Sequence, residues 1–470
     1  MPEVEKQEPL ADDSATEASA VAEESLAIKQ AASNGGDKRG KGDDRRSSQQ
    51  QRLFPGFATA SDDEFRSTLK ELLEENPLFK DYPQLFEKAP DCFVQWRKRY
   101  AKSNPKLWRR IFNTERVLKE FFEAVPVLDA VVKLIENDTR LNQSNQQENQ
   151  QQQQYTIIDL CSGKGYLGMI LSEMLPPSKV FRIVLMDKAW PMRNAPVKPQ
   201  HINWEHIYGT FEDENGMNEG TINSNLTSTN VAALENIHGE EKHDSDDDLS
   251  CGVDTSKTKE SPKPSSRSYY DTWPIPIDTS KQDLKSSRQL QLIKKHYLSN
   301  PSQHPVILLA IHLCGTLSLK AIELFNTNPS VKFLALKPCC LPGMVHAKRH
   351  ELFRVGNHCF EASEVCIHGK WKKNKWENGP PRSHIKPRFQ KWSRHLYQGI
   401  GYGEDLESQI IEGQSGPETS SDEKVRKAHA TIVVQHSGGF QNDFLFAERM
   451  PVSSATVWDA LNQRSSEEQQ

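Results

Sequence analysis

Apolar positions in this chain fall into short continuous runs separated by longer stripes of helical period, the alternation expected of a parallel sheet with crossover helices. Residues 155–158, 181–186, 306–311 and 331–336 read as buried strands, the second of them apolar apart from Arg182. Residues 169–175, stopped by Pro176-Pro177, a stretch from about 284 to 297, and one reaching Phe325 read as the intervening helices. Residues 273–277 read as a displaced third strand. Near the end, 430–435 and 444–447 flank Ser437-Gly438-Gly439 and predict an antiparallel hairpin that closes the sheet. The fold class expected is α/β, a Rossmann-like sheet of seven strands whose ligands sit beyond the carboxyl ends of the strands.

A different pattern precedes the first strand. Residues 53–136 read as a helical region, opening on a capping box, Ser61 to Glu64, ahead of Phe65, Leu69, Leu72 and Leu73. Residues 114–136 carry Val117, Leu118, Phe121, Phe122, Val125, Leu128, Val131, Val132 and Ile135 on one face, with a kink expected at Pro126. This region is expected to pack on the sheet and cover the ligand, with a separate interaction domain as the alternative.

Charge redraws the boundaries. Net charge is −5, but residues 1–60, 210–262 and 403–423 carry −3, −10 and −7, which leaves the remainder at +15. Those three stretches are rich in Ser, Gly, Asn and acid and poor in aromatics, the composition of segments that fail to bury a core. The organisation expected is a disordered acidic tail over 1–52, the helical region over 53–136, a Gln/Asn-rich linker over 137–154, and a catalytic domain over 155–450. That domain is expected to hold disordered inserts at 210–268 and 403–425, with a C-terminal tail over 451–470. No run of about 18 apolar residues exists, the first residues are acidic, and the 8 cysteines follow no disulfide-scaffold spacing. Reduced thiols, no membrane span, no secretory leader and a cytoplasmic or nuclear location are expected.

The basic remainder concentrates in two stretches. Residues 96–110 hold seven Lys or Arg and no acid, interleaved with Trp96, Tyr100 and Trp108. Residues 368–394 hold nine against Glu377, with Trp371, Trp376 and Trp392. Cations alternating with aromatics suit a phosphate backbone and unstacked bases, so RNA is the expected partner. Lys370, Trp371, Lys372, Lys373, Lys375 and Arg388 are the candidate substrate contacts. A solvated face with core tryptophans is the competing reading.

The chemistry centres on residues 159–168, D-L-C-S-G-K-G-Y-L-G. Gly163, Gly165 and Gly168 satisfy G-x-G-x-x-G between a strand and a helix, so the backbone approaches a ligand and the helix offers free N–H groups. A dinucleotide site would fit that spacing. Asp159 at the strand end points elsewhere, since a carboxylate there pairs with the ammonium of an amino-acid-like ligand. Asp187 ends the second strand, where a carboxylate accepts ribose hydroxyls. Asp283 is the candidate partner for the adenine amino group, against a helix N-cap.

The run D-x-x-x-G-x-G resembles motif I of class I S-adenosylmethionine (SAM) methyltransferases. Taken with His312-Leu313-Cys314-Gly315 and Pro338-Cys339-Cys340, it resembles a methyltransferase-domain family whose members include a tRNA ribose 2′-O-methyltransferase. The resemblance covers roughly residues 110–450. It lacks an N-terminal Cys/His zinc finger and reads C-C-L-P where the tRNA enzymes place histidines. It implies a class I methyltransferase sheet, SAM as cofactor, and a role in RNA methylation and tRNA processing. Asp159, Cys161, Gly163, Gly165, Gly168, Asp187, Asp283 and His312 are then the expected cofactor contacts, Cys161 by packing. His312 is the candidate general base and Cys314 a second catalytic candidate. His312 with Cys314, Cys339 and Cys340 could assemble a zinc site in space, but no C-x-x-C spacing supports one and no metal is expected. The alternatives to an RNA methyltransferase are a degenerate SAM-binding domain acting as an interaction scaffold, and a methyltransferase acting on protein or small molecules.

Overall fold

A computed structural model describes residues 61–101, 104–112, 116–138, 154–192, 198–208, 273–299, 304–372, 375–377, 379, 382–401, 425–434, 441–449 and 458. The expected tail over 1–52 and most of the expected linker and inserts lie outside these residues. Residues Phe57–Gln470 form one compact unit.

Four helices come first: α1 (Asp62–Glu74), α2 (Pro83–Tyr100), α3 (Pro105–Ile111) and α4 (Arg116–Asn137). Ser61 caps α1 by accepting from the Glu64 N–H at 3.1 Å. Helix α4 runs as one element through Pro126, with its apolar residues buried. The sheet elements follow as β1 (Tyr155–Leu160), α5 (Tyr166–Met174), β2 (Val180–Asp187), a one-turn α6 (Glu205–Tyr208) and β3 (Ile277–Lys281). Then come α7 (Ser287–Ile293), β4 (Val306–Cys314), α8 (Leu317–Thr327), β5 (Val331–Cys340) and α9 (Met344–Lys348). Two small hairpins, β6 (Leu352–Val355) with β7 (His358–Glu361) and β8 (Lys370–Lys372) with β9 (Lys375–Glu377), precede α10 (Arg382–Gly399). β10 (Val425–Thr431) and β11 (Asp443–Arg449) complete the described strands.

The seven-stranded sheet runs β10-β11-β5-β4-β1-β2-β3. β3, β2, β1, β4 and β5 are parallel, and β11 enters antiparallel to β5 with β10 antiparallel outside it. The order reverses at β1, whose two neighbours β2 and β4 lead the chain away in opposite directions. That switch point opens a crevice at the carboxyl ends of β1 and β4. This is a Rossmann-like sheet of seven strands.

Alternation along the strands divides the core. Ile158, Leu160, Val184, Met186, Leu308, Leu334 and Leu336 belong to one cluster with Leu290 of α7, Phe325 of α8 and Trp392 of α10. The opposite face receives α5, and α2 and α4 lie over α5. Arg99 of α2 pairs with Glu173 of α5 at 2.8 Å, both side chains less than a tenth exposed, and stacks 3.8 Å from the Trp273 ring. Tyr166 donates to the Ile111 carbonyl at 3.0 Å. The helical region therefore packs against the sheet within the same compact unit.

Four boundaries differ from the sequence reading. The third strand is Ile277–Lys281, downstream of 273–277, because Pro274 and Pro276 have no N–H for a ladder. Trp273 serves instead as a buried anchor, donating to the Ile207 carbonyl at 2.9 Å. β4 and β5 continue past their apolar runs to Cys314 and Cys340, since backbone pairing persists where the side chains turn polar. β10 starts at Val425, inside the expected second insert, and pairs it with Arg449. Trp458, in the expected tail, is buried and donates to Glu448. The described residues on either side of the Gln/Asn-rich stretch are tied together, Tyr155 donating to Asp138 at 2.6 Å.

The approach of α5 to β2 is set by glycine. A Cβ at Gly168 would stand 2.5 Å from Leu185 Cδ2 and 3.1 Å from Ile183 Cγ2. Gly168→Val is therefore expected to lower stability by about 2–3 kcal/mol through overpacking. Shortening Leu185 to Ala in the same chain should recover part of that loss. Urea midpoints of the three proteins check this, and an unchanged Gly168→Val midpoint would contradict the packing.

Candidate active site

The chain leaves β1 through a strained turn. Cys161 (φ 55°), Gly163 (φ 55°) and Gly165 (φ 81°) all occupy the left-handed region, which a non-glycine residue adopts at a cost of about 1–2 kcal/mol. Four bonds hold it. The Ser162 N–H donates to the Met186 carbonyl at 3.0 Å and the Gly165 N–H to the Ser162 carbonyl at 2.8 Å. The Gly163 N–H donates to Asp187 Oδ2 at 3.1 Å, and the buried His206 ring donates from Nε2 to the Lys164 carbonyl at 2.7 Å. Burial drives His206 down to about 4, so this ring stays neutral and structural.

The three glycines do different things. A Cβ at Gly165 would strike Leu185 at 2.4 Å, so Gly165, like Gly168, serves packing. A Cβ at Gly163 meets nothing within 4 Å. Its open side faces a cleft of about 500 Å³, a size that suits a small-molecule ligand.

That cleft is walled by Arg116, Lys119, Glu120 and Glu123 of α4, by Asp159 and the glycine turn, and by the ends of β4 and β5 with Gln441. Asp159 is buried at the end of β1. Burial, reinforced by the charges of Asp187 and Glu120 and opposed by His312, raises its carboxyl to about 7. A buried carboxylate that ionises only at neutral pH favours a cationic ligand group beside it.

His312, on the fourth strand, stands across the cleft bonded from Nε2 to Glu120 Oε2 at 2.9 Å. Because the carboxylate can only accept, Nε2 carries the proton and Nδ1 is left as the basic nitrogen. Burial alone would raise Glu120, but the bond from His312 holds it below its ordinary value. Glu120 was missed from the sequence. The available signal was two acids, Glu120 and Glu123, inside the otherwise apolar face of α4.

The other expected residues are distributed as follows. Asp187 caps the turn through Gly163 and accepts from the Ala189 N–H at 2.8 Å; each of its oxygens retains an acceptor lone pair, and it is not among the residues lining the cleft. Cys161 lines the cleft with its thiol pushed up to about 12 by burial, so it packs un-ionised. Asp283 accepts from the Lys285 N–H at 3.0 Å in a local turn ahead of α7 and is not among the residues lining the cleft. Cys314 lies exposed beside the cleft, its Sγ 3.4 Å from that of Cys339. The Cys339 and Cys340 thiols hold the Cys314 thiol well below its ordinary range and are themselves pushed up.

The substrate candidates fare unevenly. Lys370, Trp371, Lys372 and Lys375 belong to the β8–β9 hairpin, with Trp371 paired to Trp376 in register, and Lys373 lies outside the described residues. Arg388 is committed to the fold, donating to the carbonyls of Ser363 and Cys366 at 2.9 and 2.8 Å. Trp96, Trp108 and Trp392 are core side chains, so none of them stacks a base. In the first basic stretch, Arg97 and Arg99 are consumed in pairs with Asp62 and Glu173. The cations lining the cleft are Arg116, Lys119 and Lys164: Arg116 faces Glu120 at 3.7 Å, Lys119 faces Glu123 at 3.4 Å, and Lys164 is lowered by burial and by the charges of Arg116 and Arg110.

Residues 128–346 match the model of a family described as a methyltransferase domain, a little under half of the chain. The match spans the second part of α4, the glycine turn and β1 to β5. Sheet order, turn and match together define a methyltransferase. No curated protein and no solved structure matches the chain.

Asp159 sets a pH dependence. Its folded-state value, near 7, lies above the ordinary 3.8, so ionising it opposes folding. The penalty is absent below about pH 4, grows as pH rises and is complete above 7. Asp159→Asn should therefore gain about 2 kcal/mol on the wild type between pH 5 and pH 8, read from denaturation midpoints. A pH-independent difference would show that the carboxyl is not raised.

Proposed function

We propose that this protein transfers a methyl group from SAM to RNA, with tRNA the RNA class favoured. The observation that carries the cofactor reading is the pairing of a buried, cation-seeking Asp159 with an open-sided Gly163 on one cleft. Asp159 would hold the amino-acid ammonium, the Gly163 to Gly165 turn would run beside the ligand, and Asp187 would accept from the ribose. SAM supplies an already activated methyl, so the protein has to orient the acceptor, exclude water and accept a proton. His312 is the base of this reading, with Nδ1 free of the Glu120 bond and Glu120 stabilising the ring when it becomes charged.

RNA is supported by charge. The chain apart from its acidic stretches carries +15, Arg116, Lys119 and Lys164 stand at the cleft with Arg110 near Lys164, and the sequence from 370 to 375 adds four lysines. Phosphate contacts of that kind make affinity fall by about 0.7 log units per contact for each tenfold rise in salt.

Incubation of the protein with methyl-labelled SAM and fractionated cellular RNA should place label in ribonuclease-sensitive material, chiefly the tRNA fraction. Asp159→Asn should abolish transfer. Changing Lys370, Lys372, Lys373 and Lys375 to Glu should remove RNA binding and leave SAM affinity unchanged in calorimetry. Label confined to protein would replace the acceptor, and failure of the wild type to bind SAM would end the reading.

A further inference from the structure

Beside the cleft, three sulfurs converge. Cys314 Sγ lies 3.4 Å from Cys339 Sγ, which lies 3.7 Å from Cys340 Sγ, and all three fall within 4.8 Å of one another. Sulfurs placed tetrahedrally around Zn²⁺ at about 2.3 Å stand about 3.8 Å apart. The triangle is already close to that size.

The backbone bends to make it. Consecutive residues of a regular strand point to opposite faces, so Cys339 and Cys340 should diverge. The register between β4 and β5 slips twice over Ala310 to Cys314 and re-forms with Cys314 opposite Cys340. Gly315 follows in the left-handed region, its N–H bonded to the Cys340 carbonyl at 3.2 Å. The Gln441 amide donates to the Cys339 carbonyl from the other side. These contacts fix the geometry before any ligand arrives.

Thiols gain little from one another, because S–H is a weak donor and S a weak acceptor. A cation gains much from three. We propose that Cys314, Cys339 and Cys340 form a three-thiolate site for a thiophilic divalent cation, Zn²⁺, whose fourth position is left to water or to an incoming ligand. Three soft donors select Zn²⁺ over oxygen-seeking Mg²⁺ or Ca²⁺. The exposure of Cys314 gives the ion a route in, while Cys339 and Cys340, which line the cleft, place it at the cleft wall. Among the described residues no fourth Cys, His or acid joins this group, which matches an open position and not a closed structural site. The neighbouring group of Glu120, Glu123 and His312 is a separate set, tied up in the His312–Glu120 bond. The assignment stands on the sulfur geometry and does not depend on the methyl-transfer reading.

The test uses the full chain, purified under reducing conditions, equilibrated with Zn²⁺ and passed through gel filtration. Mass spectrometry for metals should find about one equivalent. Exchange for Co²⁺ should give thiolate-to-cobalt charge transfer in the near ultraviolet with visible tetrahedral bands. Cys314→Ser and Cys340→Ser should each lose both signals, whereas Cys359→Ser, an exposed cysteine outside the group, should keep them. Wild-type protein that is folded by circular dichroism yet holds negligible zinc and gives no cobalt bands would overturn the proposal, whatever the variants do. So would a Cys314–Cys339 disulfide found by peptide mass spectrometry in protein kept reduced, or cobalt bands that survive both cluster variants.

Discussion

Between Leu160 and Tyr166 the chain must leave the central strand, pass three left-handed residues and begin a helix against the neighbouring strand. That reversal is a cost, and it persists because β2 holds it at two points, the Met186 carbonyl and the Asp187 carboxylate. Much of the site follows from it. The turn sets where Asp159 ends the strand, which side of Gly163 is open, and how closely α5 seats on Leu185. His206 reinforces it from a helix supplied after β2, with Tyr100 of α2 bonded to the His206 carbonyl, so the helical region stabilises the turn at one remove.

The second determinant is the length of β4 and β5. Had these strands stopped with their apolar runs, His312 would sit on a loop and the three cysteines would be apart. Continued pairing carries His312 to the cleft wall, where Glu120 of α4 meets it 192 residues away in sequence. Sheet and helical region thus contribute one partner each to the only His–carboxylate pair found lining the cleft among the described residues.

The sheet was legible because buried parallel strands are written as continuous apolar runs, and the glycine turn because few other sequences permit it. Asp159, Gly163 and His312 all line the cleft. What failed to show had physical reasons. Glu120 lies on a helix that only tertiary packing brings to the fourth strand. The cysteine group depends on a register slip that no spacing rule encodes. Tryptophans among cations look alike whether they stack bases or fill a core, and burial decided for the core at Trp96, Trp108 and Trp392. Arg388 and Asp283 read as binding groups, yet backbone groups engage both, distant carbonyls for Arg388 and a local N–H for Asp283.

The central claim is that the cofactor occupies the cleft between α4 and the glycine turn, against Asp159. No helix among the described residues is long and apolar enough to cross a membrane. Hydrogen exchange with and without S-adenosylhomocysteine, resolved to single peptides, tests the claim most directly. The account predicts slowed exchange across residues 159–168, 187–190 and 311–314, and little change at β6 and β7. Unchanged exchange through the glycine turn under saturating ligand, or protection confined to β6 and β7, would contradict it.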